Sequence, residues 1–221
     1  IVHAGVNDKF NEITWFYPSG SATSVDRSVT YNTRDSQNIP GGVWTTNAGT
    51  LMKRTTWVDQ GVYGKPYSTA YDSSESPTQG SISGISAGAT TYYEHETGND
   101  QVKTNGTTTA IPAQIESGDF DIDKEGSGEY MMRISRFIPD FKNQTGDAQV
   151  TIFLRDFPSD TRASSASGPL ITGPFTVTTS TKQVFCRSRG RAASFKIANT
   201  GTGQTWRFGT FRADIQVGGR R

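Results

Sequence analysis

Val184-Phe185-Cys186-Arg187-Ser188-Arg189-Gly190-Arg191 sets three arginines on alternate positions, Arg187, Arg189 and Arg191. A period of two belongs to a β-strand, on which alternate side chains share a face. The stretch therefore reads as a strand with one basic face. Around it, residues 180–221 carry nine of the 22 Lys and Arg residues and a single acid, Asp214. Counting charges gives this tail +8 and residues 1–179 −7, a division that the overall +1 conceals. Three arginines crowded on one face require a counter-charge.

The same strand signal recurs along the chain, and helical periodicity is nearly absent. Hydrophobic content is low at 33%, with 24 glycines among 221 residues. That composition suits many short strands joined by long polar loops, an all-β fold. Residues 10–17, 26–32, 43–46, 51–58 and 92–96 form the first group of expected strands. Polar, low-complexity loops are expected at 72–91 and 97–109. After residue 110 the pattern tightens, with strands expected over 111–122, 129–138, 148–157, 175–179, 182–188, 192–198 and 205–217. Six or seven strands in about 110 residues is the count of a β-sandwich. The expected organisation is thus a β region over 1–105 followed by a sandwich-like domain over 106–221.

The chemistry-bearing residue types do not assemble into a recognisable motif. A single cysteine, Cys186, excludes an intrachain disulfide and a cysteine-based zinc site. Packed beside Phe185 in a strand, it reads as a small core residue. Asp119-Phe120-Asp121-Ile122-Asp123 resembles the start of a calcium loop, but the positions needing Gly and Glu hold Lys124 and Tyr130. The better reading is a strand with Asp119, Asp121 and Asp123 on an acidic outer face and Phe120 and Ile122 inward. His95, between Glu94 and Glu96, has no nucleophile elbow to serve. Gly201-Thr202-Gly203 reads as a hairpin turn. No apolar run is long enough for a membrane helix and no signal peptide is visible. The chain opens strand-like and without methionine, as a piece of a longer polypeptide would. No metal or cofactor is called for.

The acidic face (Asp119, Asp121, Asp123) and the basic one (Arg187, Arg189, Arg191, with Arg133 and Arg136 near it in sequence) can be mates. Opposite charges on facing strands stabilise a pair by roughly 0.2–1 kcal/mol each. Pairing within the fold, pairing across a subunit boundary and pairing with nucleic-acid phosphates all remain open.

Several segments taken together resemble one family. They are Ala4-Gly5-Val6-Asn7, Phe10-Asn11-Glu12-Ile13-Thr14-Trp15-Phe16-Tyr17-Pro18-Ser19 and Arg54-Thr55-Thr56-Trp57-Val58-Asp59. Next come Tyr93-Glu94-His95-Glu96-Thr97-Gly98, Ile115-Glu116-Ser117-Gly118-Asp119-Phe120 and Ile138-Pro139-Asp140-Phe141-Lys142. The series ends with Gly173-Pro174-Phe175, Trp206-Arg207-Phe208-Gly209-Thr210-Phe211-Arg212 and Gly219-Arg220-Arg221. These are similar to the C-terminal part of tail nozzle or hub proteins of short-tailed bacteriophages, a functional class that includes packaged-DNA stabilisation proteins. The resemblance implies terminal blades of a β-propeller-like region followed by β-rich modules. It further implies a virion location and a homo-oligomeric ring, sixfold, below the portal and adaptor. Tail fibre or spike proteins would be neighbours, DNA would pass through the lumen, and no catalytic residue is implied. On this view Arg187, Arg189, Arg191, Arg220, Arg221, Asp119, Asp121 and Asp123 belong to a charge-matched interface or face DNA. The alternative is a glycan-binding or glycan-cleaving tail module, which needs exposed aromatics beside a carboxylate pair.

Overall fold

A computed structural model describes residues 2–48, 54–72, 89–102, 106–122, 129–157, 160, 170–199 and 201–220. It is all-β, in several antiparallel sheets without a closed barrel. The helical turns among the described residues are two 3-10 turns, Asp35–Asn38 and Gly61–Tyr63. No helix among them is long and apolar enough to cross a membrane. The chain divides into two compact units, Ile1–Thr97 and Gly98–Arg221.

The first unit opens with a four-stranded meander: β1 (His3–Asn7), β2 (Glu12–Tyr17), β3 (Arg27–Asn32) and β4 (Val43–Ala48), hydrogen-bonded in that order. A second sheet runs β5 (Thr56–Val58), β6 (Tyr67–Asp72), β7 (Ala89–Glu94). Turn chemistry starts β2 later than its apolar run suggests. Asn11 sits at φ 57°, a left-handed position that Asn tolerates better than most residues.

Trp57 fastens the two sheets together. Its ring lies on Phe16 with centroids 5.3 Å apart and on His95 at 4.6 Å, and its indole N–H donates to the Val6 carbonyl at 3.3 Å. Gly5 is glycine because a Cβ there would run into the Trp57 ring. The buried residues of this unit are in large part polar: Ser28, Thr30, Asn7, Ser68 and Arg54 are buried along with Phe16, Val25 and Ala70.

The core of the second unit lies between two facing sheets. One sheet has the order β10 (Ala113–Glu116), β16 (Ala192–Asn199), β13 (Ala148–Arg155), β14 (Leu170–Val177). The other has β15 (Val184–Gly190), β11 (Tyr130–Ile138), β18 (Arg212–Arg220). β13 shows why the sheets face each other: Ala148, Val150, Ile152 and Leu154 are buried and the residues between them are not. They share one core with Met132, Ile134, Phe137, Val177, Cys186, Ala193, Phe195 and Ile197. Cys186 is free and buried, as its strand position suggested. Burial raises its thiol pKa.

Several expectations are corrected by local chemistry. Segment 97–109 is not merely loop: β8 (Asp100–Val102) and β9 (Thr108–Ala110) pair within it. The expected strand 111–122 breaks, because Pro112 has no N–H to give and Ser117-Gly118 interrupts the ladder. What remains is β10 and an isolated bridge from Phe120 to Ala193. The expected strand 205–217 divides into β17 (Thr205–Phe208) and β18 at Gly209, whose N–H donates to the Asp140 carbonyl at 2.8 Å. β17 pairs with β12 (Phe141–Thr145), not with β16, so Gly201–Gly203 turns the chain from one sheet to another rather than closing a hairpin. Most of the expected loop 72–91 lies outside the described residues.

Candidate anion-binding face

Each side chain of this face is aimed by register. In β15, Cys186, Ser188 and Gly190 turn into the sandwich, leaving Phe185, Arg187 and Arg189 exposed. On the central strand β11, Met132, Ile134 and Phe137 are the buried residues. Their spacing lengthens from two to three because the ladder shifts between Ile134 and Arg136. The shift leaves both Arg133 and Arg136 off the buried positions. On β18 the alternation exposes Arg212, Asp214 and Gln216, while Ala213 and Ile215 pack against the core.

Two rows result. In the first, Arg133 stands directly opposite Arg189 on one side and Gln216 on the other. In the second, Arg136 stands opposite Phe185 and Asp214. The second row is neutralised. Arg136 Nε donates to Asp214 Oδ2, and its Nη1 donates to Gln183 Oε1 at 2.9 Å. Asp214 is the sole acid within the three strands.

The first row has no such partner. Arg133, Arg187 and Arg189 make no ion pair with any described residue. With Ser188, Gln216, Val217 and Gly218 they line an open depression of about 450 Å³. Like charges on directly opposed strand positions are unfavourable. Two guanidiniums about 6 Å apart in water repel by roughly 0.7 kcal/mol. An anion seated between Arg133 and Arg189 would convert such repulsion to attraction.

The other residues singled out in the sequence fall elsewhere. Arg191 is not a third member of the face. The strand ends at Gly190, and Arg191 sits in the bend before β16, donating from Nη1 to the Glu129 carbonyl at 3.2 Å. The proposed acidic strand face does not form either, since its segment makes one bridge instead of a ladder. Asp119 pairs with Arg155 of β13 at 3.1 Å, so its mate is on the opposite sheet from the arginine face. Asp121 is half-buried beside that bridge, with Phe120 and Ile122 packed on the core as expected. Asp123 and Arg221 lie outside the described residues, and Arg220 is the last residue of β18. Among the described residues no cluster of His, Cys, Asp or Glu is arranged to hold a metal ion.

Two further constellations occur in the first unit. Arg54 Nε donates to His95 Nε2 at 3.2 Å, the Ser68 hydroxyl lies 2.7 Å from the same nitrogen, and the Arg54 guanidinium covers the Tyr93 ring at 3.7 Å. Because Nε2 accepts from Arg54, the neutral ring carries its proton on Nδ1, and Ser68 is the second donor. Burial, with the Arg54 charge second, pushes the His95 pKa down to about 4. Ser68 is only 2% exposed, which makes this a structural bracket rather than an open nucleophile–base pair. The other constellation is aromatic. Tyr67 stacks on Tyr92 with centroids 5.4 Å apart and meets Tyr63 edge-on at 5.6 Å. Tyr63 and Tyr92 are largely exposed, and Glu94 beside them is tied to Lys65 at 2.6 Å.

Gln216 and Phe185 were not singled out in the sequence as members of the basic face. Phe185 carried a signal, since it occupies the same parity as Arg187 and Arg189. Gln216 became visible only through the β11–β18 register. No protein-family model matches the chain, and no curated protein matches it.

Proposed function

We propose that the chain is a structural component of a short-tailed phage tail, a nozzle or hub subunit. Copies would assemble head to tail into a sixfold ring below the portal and adaptor, with tail fibre or spike proteins as neighbours. The lumen would retain and conduct the packaged DNA. The observation that carries the reading is the Arg133–Arg187–Arg189 face. Its charges have no ion-pair mate among the described residues, which leaves them available to a neighbouring subunit or to DNA. The sheet architecture is compatible: β1–β4 form a four-stranded antiparallel meander, the unit from which propeller blades are built. Head-to-tail contact gives every subunit two neighbours, and closure of the rotation gives a ring.

Native mass spectrometry of the purified protein, together with electron microscopy of virions, tests this. The expected result is a closed oligomer of uniform mass and density in the tail below the portal. A protein that stays monomeric at high concentration and localises outside the tail would overturn the proposal.

A second reading is favoured by one observation, the exposed Tyr63 and Tyr92 packed on half-buried Tyr67 beside Glu94. Flat aromatic faces suit the apolar side of a sugar ring, so a glycan-binding module is the alternative. Binding to a glycan array that disappears in Tyr92→Ala would support it. The absence of binding to any glycan, with no depolymerisation of host polysaccharide, would exclude it.

A further inference from the structure

We propose that the exposed face of the β15–β11–β18 sheet binds a single strand of nucleic acid, its phosphates held by Arg133, Arg187 and Arg189 and a base laid on Phe185. The proposal does not rest on ring assembly and concerns the chain by itself.

Three observations converge on it. The first is the surplus charge already described, with three arginines around one open depression and the sole acid of the three strands already used by Arg136. Guanidinium forks bind phosphate oxygens through paired, charge-assisted hydrogen bonds, and these arginines break no ion pair with a described residue to do so. The second is Phe185. An aromatic side chain 69% exposed on a sheet face gains nothing from the core, and it continues the parity of Arg187 and Arg189 along β15. Basic residues interleaved with an exposed aromatic form the surface that unpaired strands use: charge follows the backbone and bases stack on rings. The third is geometry. Arg187 and Arg189 are separated by about 6.6 Å along the strand, given a rise near 3.3 Å per residue, and Arg133 faces Arg189 across the ladder. The positive centres therefore form a compact triangle beside the ring rather than a dispersed halo.

The same features choose among polyanions. An acidic peptide would satisfy the arginines but has no flat face to offer Phe185. A duplex presents phosphates but keeps its base faces stacked internally. An unpaired strand satisfies both halves of the surface.

Fluorescence anisotropy on the full 221-residue chain tests the proposal, with labelled oligothymidylate, a duplex of equal length and polyglutamate compared across a salt series. Oligothymidylate should bind more tightly than the other two, with a log–log salt slope of about −2, since each single-strand phosphate contributes about −0.7. Combined Arg133→Gln, Arg187→Gln and Arg189→Gln should bring the slope close to zero. Phe185→Ala should weaken oligothymidylate binding about fivefold or more while leaving the salt slope in place. If the triple variant is poorly folded, Arg187→Gln alone should flatten the slope by about 0.7. Weak or salt-independent binding would overturn the proposal. Equal or tighter binding of polyglutamate or duplex would also overturn it, as would affinities unmoved by the substitutions. A ring that forms normally yet does not bind the oligonucleotide would remove this inference and leave the structural reading standing.

Discussion

Phe137→Ala is expected to destabilise the sandwich unit by about 3–5 kcal/mol, the cost of emptying a large aromatic site in a packed core. The side chain is 0% exposed. Its ring meets Phe175 of β14 at 5.7 Å and stacks on Phe211, just before β18, at 5.5 Å. It thus joins the two sheets beside the shift in the β11 ladder, and the rings of Phe175 and Phe211 cannot both collapse into the space it leaves. Urea unfolding should show a lower midpoint with an unchanged slope for the transition of residues 98–221. The transition of the first unit should not move. A loss below about 1 kcal/mol would mean that Phe137 is not a core residue.

Acid is expected to weaken the first unit by about 3 kcal/mol between pH 6.5 and pH 4, through His95. The folded ring takes its proton only near pH 4, whereas the unfolded one does so near 6.5. Between those values the unfolded state binds more protons, so stability falls as pH falls. The contribution is complete above pH 6.5 and spent below pH 4. The structural cause is specific. Nε2 accepts from Arg54, and protonating it removes that acceptor and sets a second positive charge beside Arg54, while the Ser68 hydroxyl can only turn round to accept. His95→Gln should flatten this part of the pH profile, because a neutral amide has no proton to take up. A profile identical to that of the parent protein would show that His95 is not the group responsible.

The all-β class was legible because it rests on side-chain period. Alternation in 148–155 and 184–190 reads directly as one face in and one face out, and Cys186 is buried where the pattern places it. Strand ends were less legible, since they depend on single hydrogen bonds. Nothing in residues 205–217 announces that Asp140 will accept from Gly209 and divide the segment. The basic face was half legible. Arg187 and Arg189 are visible from parity alone, but the end of β15 at Gly190 removes Arg191, and only cross-strand register brings Arg133 and Gln216 beside them. Charge matching misled for the same reason. The Asp119 and Arg187 segments are complementary in composition, yet Arg155 of β13 lies nearer and takes the carboxylate.

The proposed role requires Arg133, Arg187 and Arg189 to serve a partner outside the chain rather than the fold. The most direct test is the stability of Arg189→Gln against the parent protein at low salt. Removing one member of an opposed like-charged pair should leave stability unchanged or raise it by up to about 0.7 kcal/mol, and added salt should shrink the difference. A loss of more than about 1 kcal/mol would contradict the account, because it would mean that Arg189 already has a stabilising mate within the protein.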